Sequence, residues 1–395
     1  MRLYNTLSQR VEELSFPDGV VKMYVCGITP YDTTHLGHAR VSVVYDTLRR
    51  YLERQGLRVR YVQNVTDIDE PLFERARRDG VRWQDLGAQQ TQRYLESLDR
   101  LNVQRPEYYV TATSAIPQML PIIERLIEQG HAYVRNGTVY YHAASFEDFG
   151  ELAHADYQTL LATANDMGNN PDDPQKLDPI DFVLWQPSQP DEPAWDSPWG
   201  PGRPGWHIEC STLATQYLGP QIDIHGGGSD LIFPHHSCEI AQAEPSTGVT
   251  PFVRCWMHIG LVALRGTKMS KSLGNMVFVD EILARYSQAA LRLALLTYPY
   301  REPFEYSEQA VAQAEEWAGM IARALDAESS QTAAFDDAEY RTQFWAALDN
   351  NFDTPSAVQT LVEYAGAINA AVAAGQDVRD AQAALRNMRD TLGLR

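Results

Sequence analysis

Val20-Val21-Lys22-Met23-Tyr24-Val25-Cys26-Gly27 leads into a turn that carries His35-Leu36-Gly37-His38, and this stretch decides the fold. Its apolar run predicts a short buried strand, with Met23 and Val25 on one face and Tyr24 on the other. Val41, Val44, Tyr45, Leu48 and Leu52 then recur at helical spacing, and Gly56 stands where a helix C-cap belongs. Leu57 to Val65 predicts a second strand. Strand, glycine-containing turn, helix and strand in that order open a parallel α/β sheet.

Working outward, the rhythm breaks between 108 and 195. That span holds two helical stretches, a strand-like Thr138 to His142, and a Pro/Asp/Asn-rich loop from Ala164 to Pro179. The α/β pattern resumes at Gln221 to His225 and again at Trp256 to Leu264. Beyond about residue 305 the chain reads as helical. Thr354-Pro355 gives a cap followed by proline at the first helical position, and Val358, Leu361, Val362, Ala365, Ile368 and Val372 form one apolar stripe. The expected organisation is a Rossmann-like catalytic domain over 1–107 and 196–304, split by an inserted connective domain over 108–195. A C-terminal helical bundle over 305–395 follows.

With 395 residues, 44% hydrophobic and 22% charged, the chain can bury a sizeable core. No apolar run is long enough for a membrane span and the N-terminus has no leader-like apolar region, so a cytoplasmic protein with no membrane partner is expected. The net charge of -19, from 33 basic and 52 acidic residues, does not favour a polyanionic partner such as tRNA, although a local basic face is compatible with it. In such a compartment the four cysteines argue against disulfides, and Cys238 and Cys255 read as plain buried thiols.

His35-Leu36-Gly37-His38 and Lys268-Met269-Ser270-Lys271-Ser272, in this order and on this pattern, resemble the two signatures of class I aminoacyl-tRNA synthetases. The resemblance implies that both touch one ATP, accompanied by Mg²⁺. When a carboxylate attacks the α-phosphate of ATP, negative charge builds on the phosphate oxygens, and positioning and charge stabilisation dominate catalysis. His35 and His38 would project from a helix N-terminus, which itself favours anions, and Gly37 would let the adenine approach the backbone. Lys268 and Lys271 sit between Gly266 and Gly274 as a lysine pair able to close over the triphosphate. Gly226-Gly227-Gly228-Ser229-Asp230 follows a strand, where open α/β sheets bind ligands, and Asp230 suits a ribose hydroxyl.

His235 and Glu239 are four residues apart and share one helix face. With Cys26 at a strand end and Cys210 before a helix, they offer two thiolates, an imidazole and a carboxylate, a plausible tetrahedral zinc set. Spacing alone does not establish it.

Taken together, Val25-Cys-Gly-Ile-Thr29, His35-Leu-Gly-His38, Asn64-Val-Thr-Asp-Ile-Asp69, Gly205-Trp-His-Ile-Glu-Cys210, the stretch from Asp223 to His236 and Thr267-Lys-Met-Ser-Lys-Ser-Leu-Gly-Asn275 resemble the cysteinyl-tRNA synthetase family. That resemblance covers essentially the whole chain. It implies a zinc held by Cys26, Cys210, His235 and Glu239 that grips the thiol of L-cysteine. It also implies a cysteine and adenylate pocket lined by Gly27, Thr29, Thr66, Trp206, Gly227, Gly228, Ser229, Asp230 and His258. A thiolate–zinc bond separates cysteine from the nearly isosteric serine.

Within the family two acceptors stand open. Thr29-Pro-Tyr-Asp32, Pro71-Leu-Phe-Glu-Arg-Ala76 and Gly168-Asn-Asn-Pro-Asp-Asp-Pro174 are similar to the mycothiol-pathway branch, which joins cysteine to the amino group of glucosaminyl-inositol. The chain also stops before the anticodon-binding domain that synthetases carry. Glu239-Ile-Ala-Gln242 and Asp181-Phe-Val-Leu-Trp185 are synthetase-like, whereas Ser237-Cys238 matches neither. The small amine is the favoured acceptor, with tRNA or another amine as the alternatives.

Overall fold

A computed structural model describes residues 1–32, 34–264, 266–269, 274–330 and 333–395. Strands β1 (Arg2–Asn5) and β2 (Arg10–Glu13) form an antiparallel hairpin that leads into β3 (Val20–Ile28). Helix α1 (Leu36–Arg54) and β4 (Arg58–Val65) follow, then α2 (Glu70–Asp79), α3 (Trp83–Arg100) and β5 (Tyr108–Thr111). Next come α4 (Ile116–Glu128), β6 (Ala132–Arg135), β7 (Thr138–Tyr141), α5 (Tyr157–Asp166), β8 (Phe182–Pro187) and β9 (Gly202–Pro204). Helix α6 (His207–Leu218), β10 (Ile222–Gly228), α7 (Ser237–Thr247), β11 (Val253–Ile259), β12 (Val262–Leu264) and β13 (Thr267–Lys268) complete the catalytic layers. The remainder is α8 (Val279–Leu283), α9 (Gln288–Leu296), β14 (Phe304–Glu305), α10 (Glu308–Asp326), α11 (Ala338–Asp349), α12 (Thr354–Ala373) and α13 (Arg379–Thr391).

The central sheet has five parallel strands in the order β11-β10-β3-β4-β5. Both faces are covered, which is why β3 is apolar on successive residues rather than alternately. Met23 and Val25 pack with Val43, Val44 and Leu48 of α1, while Tyr24 and Cys26 join Ile208 and Leu213 of α6 in a second core. The face assignment read from the sequence holds. Gln55 is the C-cap of α1 and Gly56 follows it at φ 83°, the left-handed step that releases the chain into β4.

Strand pairing moves both edges of the insertion from the expected 108 and 195. Tyr108–Thr111 is the fifth strand of the parallel sheet, and Gly202–Pro204 closes the antiparallel sheet β6-β7-β8-β9. The glycine run also belongs to β10 itself and not to a turn after it. A Cβ at Gly226 would meet Met257 O at 1.7 Å, so only glycine lets β10 and β11 approach there. Helical packing likewise begins before residue 305, because α9 lies against α10 and α12. In α12 the cap is Asp353 and not Thr354: its carboxylate accepts from Ser356 N, a reach the neighbouring threonine, already helical, does not have. Among the described residues no helix is long and apolar enough to cross a membrane.

Candidate active site

The thiol end of the site sits at the C-terminal end of β3. Because α6 packs on the Tyr24/Cys26 face of the sheet, Cys210 meets Cys26, with sulfurs 3.6 Å apart. A kink at Phe233 ends the segment after β10 and turns His235 inward, and the first turn of α7 then supplies Glu239. His235 Nε2 lies 3.2 Å from Glu239 Oε1, and Cys26 Sγ lies 3.7 Å from the same oxygen. All are buried, and the donor atoms of these residues lie within 4.8 Å of one another. A tetrahedral zinc with Zn–S of about 2.3 Å and Zn–N of about 2.0 Å spaces its ligands by roughly 3.2–3.8 Å. The donor set fits.

A second overlapping set, Cys26, His225, His236 and Glu239, is equally compact. It has one thiol where the first set has two. His225 Nε2 meets Glu239 Oε2 at 2.8 Å, while His236 contacts Cys26 Sγ at 3.3 Å and His258 at 2.7 Å. His235, like His236, presents Nε2 to the cluster and has its Nδ1 held, here by His207 Nδ1 at 3.0 Å, the arrangement expected of a metal-binding imidazole, so the second thiol is what distinguishes the first set. One ring of that nitrogen pair must donate and the other accept, so the accepting ring is neutral. Burial accordingly lowers the pKa of His207 to about 3 and holds that of His235 well below its ordinary value. Burial also raises the Cys26 and Cys210 thiols and Glu239, with the neighbouring groups adding to the shift at Cys26. Three would-be anions in one dry pocket call for a cation.

The nucleotide end is a cavity of about 250 Å³ that runs from Cys26 and Gly27 past His35, Gly37 and His38 to Gly228, Asp230, Leu261, Val262 and Met269. His35 is the N-cap of α1: its Nδ1 accepts from Gly37 N at 3.1 Å and His38 N at 3.4 Å. Its proton therefore resides on Nε2. The rings of His35 and His38 stack at 3.6 Å. Gly37 borders the cavity as expected, and a Cβ there would also meet the His35 ring at 2.9 Å. The glycine is needed by the folded-back cap, and the helix amides expected to greet an anion are satisfied by it. The second signature reaches the same cavity through Met269, whose N–H donates to Val262 O, and the backbone of Lys268 beside it pairs with Ala263. Lys271 lies outside the described residues.

Trp206 precedes α6 and stacks on His235 at 4.4 Å. Thr66 is buried and donates to Glu209 at 2.8 Å, and Thr29 donates to Asp69 at 3.4 Å. His258 bridges His236 and Thr6, the latter at 2.8 Å. Gly227 stands 3.6 Å, by its Cβ direction, from Cys26 Cβ, and Ser229 opens the short turn that carries Asp230. Cys238 and Cys255 are buried in the two cores. Sequence reasoning missed the roles of His207, His225, His236 and Glu209. The one available signal was a dense run of histidines on a strand and a helix start.

The family model of class I tRNA synthetase (C) catalytic domains matches residues 13–316. The cysteine–tRNA ligase of Dehalococcoides mccartyi is 43% identical over 398 residues, covering 100% of this chain and 86% of that protein. The L-cysteine:1D-myo-inositol 2-amino-2-deoxy-alpha-D-glucopyranoside ligase of Tsukamurella paurometabola is also 43% identical, over 370 residues, covering 92% of this chain and 88% of that protein. Among solved structures, Mycobacterium tuberculosis methionyl-tRNA synthetase in complex with methionyl-adenylate superposes with a TM-score of 0.70 at 17% identity, over 94% of this chain and 88% of that one, a likeness of fold.

Proposed function

The chain belongs to the class I tRNA synthetase (C) family, and from that membership we propose how its residues divide the work of joining cysteine to an amine. It is an ATP-dependent cysteine ligase of the class I synthetase type. Cys26, Cys210, His235 and Glu239 hold a zinc ion, which supplies a soft site for the substrate thiolate that a serine hydroxyl cannot match. Trp206, stacked on His235, walls the amino-acid side. The single observation that carries this reading is the thiol-rich donor set at the end of β3.

At the other end His35 offers its Nε2–H, and His38 beside it lines the same cavity. With Lys268 and Lys271 they stabilise charge on the phosphates as the cysteine carboxylate attacks the α-phosphorus and pyrophosphate leaves. Asp230 takes a ribose hydroxyl. An amine then attacks the activated carbonyl, giving an amide and AMP, with its proton passed to solvent.

A small amine of the glucosaminyl-inositol kind is the acceptor. Support comes from the Thr29–Asp32 and Pro71–Ala76 stretches and from a net charge of -19, which does not attract a polyanion. The tRNA reading rests on Glu239-Ile-Ala-Gln242 and on tRNA ligases of equal identity. Mass spectrometry of products formed from cysteine, ATP and each acceptor decides between them. Cysteinyl-tRNA without the cysteinyl amino sugar would overturn the acceptor proposed here, and absence of cysteine-dependent ATP–pyrophosphate exchange would overturn the activation step.

A further inference from the structure

We propose that Arg40 is a positioning residue that fixes the His35–His38 turn against the small sheet bearing Lys268. Arg40 lies two residues past His38 in α1 and is fully buried. Its Nη1 donates to Gly260 O at 3.0 Å, and its Nη2 donates to Pro299 O at 2.8 Å, Tyr300 O at 3.4 Å and Glu302 O at 2.8 Å. The guanidinium carbon sits 4.4 Å over the Phe304 ring.

Those partners form one scaffold. Gly260 links β11 to β12, and Phe304–Glu305 is β14. Strand β12 pairs with β14 on one side and on the other with β13, where Ala263 opposes Lys268. Glu305 also accepts from Gly266 N at 3.2 Å, tying the far end of the same hairpin. One side chain therefore connects the first signature to the frame of the second, and Gly260 itself borders the cavity. Carbonyl oxygens from separate chain positions converge on one point, and their dipoles would repel without a cation between them. A planar fork with five donors satisfies that cage, whereas the compact ammonium of lysine does not. Burial lowers the pKa of Arg40 to about 10, which leaves it charged at neutral pH. Arg292 is as deeply buried, but its partners lie in α1, at the end of α3 and just past the last helix, away from the cavity. The thiol end is built from β3, α6 and α7, and among the described residues none of its side-chain contacts runs through Arg40's cage, so cysteine binding has no stake in it.

This inference rests on the reading that both signatures serve ATP. The test is cysteine-dependent ATP–pyrophosphate exchange by wild type and Arg40→Lys, with zinc content and melting recorded for each. The expected result is a KM for ATP raised by roughly 10- to 100-fold, the range for small misplacements of catalytic groups, with the KM for cysteine and the zinc content unchanged. Unchanged KM values for both substrates, or equal shifts in both, would overturn the proposal, because a merely structural role lowers the active fraction alone. Should Arg40→Lys not fold, Phe304→Leu loosens the same seat: a raised KM for ATP alone supports the clasp, and wild-type constants overturn it. Wild type without exchange would sink the activation reading and this inference with it, an outcome distinct from either variant's failure.

Discussion

At the thiol end, Cys26, Cys210, His235 and Glu239 are delivered by β3, α6 and α7, whose packing on one face of the sheet is also the packing of a hydrophobic core. At the nucleotide end, His35 and His38 come from the start of a single helix, while Met269 and Lys268 come from a short hairpin paired at the border of the catalytic layers. The first end inherits its geometry from folding itself. The second is assembled from pieces that folding leaves separately adjustable. Damage to the first should therefore abolish a property outright, and damage to the second should be graded and kinetic.

The largest effect is expected from Cys26→Ala or His235→Ala. Each removes one of four donors from a dry pocket, and the carboxyl and whichever thiols remain (Cys210 alone, or Cys26 and Cys210), raised by burial, revert to protonated groups. Metal analysis should find zinc lost, and exchange assays should find the preference for cysteine over serine reduced by roughly 10³-fold or more, as when a site loses the group built to recognise its substrate. The KM for ATP should stay within about 3-fold of wild type, since the histidine turn is untouched. Zinc lost from Cys26→Ala but retained in His235→Ala would show that the alternative set of Cys26, His225, His236 and Glu239 is the one that binds.

His38→Ala should lower kcat by about 10²- to 10³-fold with zinc and cysteine KM unchanged, the range for removing one charge-stabilising donor. His35→Ala sharpens the contrast. It removes both the Nε2–H donor and the cap on Gly37 N and His38 N, so it should add a stability loss of about 1 kcal/mol to the kinetic defect. Thermal melting beside exchange kinetics separates the two effects, and equal melting curves for both variants would remove the capping role.

Much of this was legible beforehand because periodicity reports burial. The alternation of Met23, Tyr24 and Val25 gave the two faces of β3, whereas the helix that meets Cys26 on the Tyr24 side emerged only with the packing of α6. What escaped has a physical pattern. Tyr108–Thr111 and Gly202–Pro204 are too short to show a period, and their sheets are chosen by neighbours distant in sequence. The histidines around the metal cluster bond to one another and to Glu239 through side chains brought together from α6, β10, β11 and the turn before α7, which no spacing encodes. Gly37 shows a subtler limit, since nothing in its sequence context announces that a Cβ there would also meet the folded-back ring of His35.

The smallest effect on catalysis, and the firmest test of where the nucleotide end stops, comes from Arg292→Met. Arg292 of α9 donates to Leu392 O at 2.8 Å and Leu101 O at 3.1 Å, and its ion pair with Asp46 at 2.7 Å anchors the helical bundle to α1. Both partners are buried, so truncation leaves Asp46 with Arg50 as its remaining cation and should cost roughly 3 kcal/mol of stability. Yet Arg292 holds the solvent-distal half of α1, more than a turn of helix beyond His38, and none of its partners borders the cavity. Denaturant titration should show the loss while the KM for ATP and for cysteine of the folded fraction stay at wild-type values. If instead the KM for ATP rose as expected for Arg40→Lys, the bundle would have to be counted as part of the phosphate clamp. The distinction between a thiol end made by the core and a nucleotide end held by one buried guanidinium would then give way to a clamp distributed along the whole of α1.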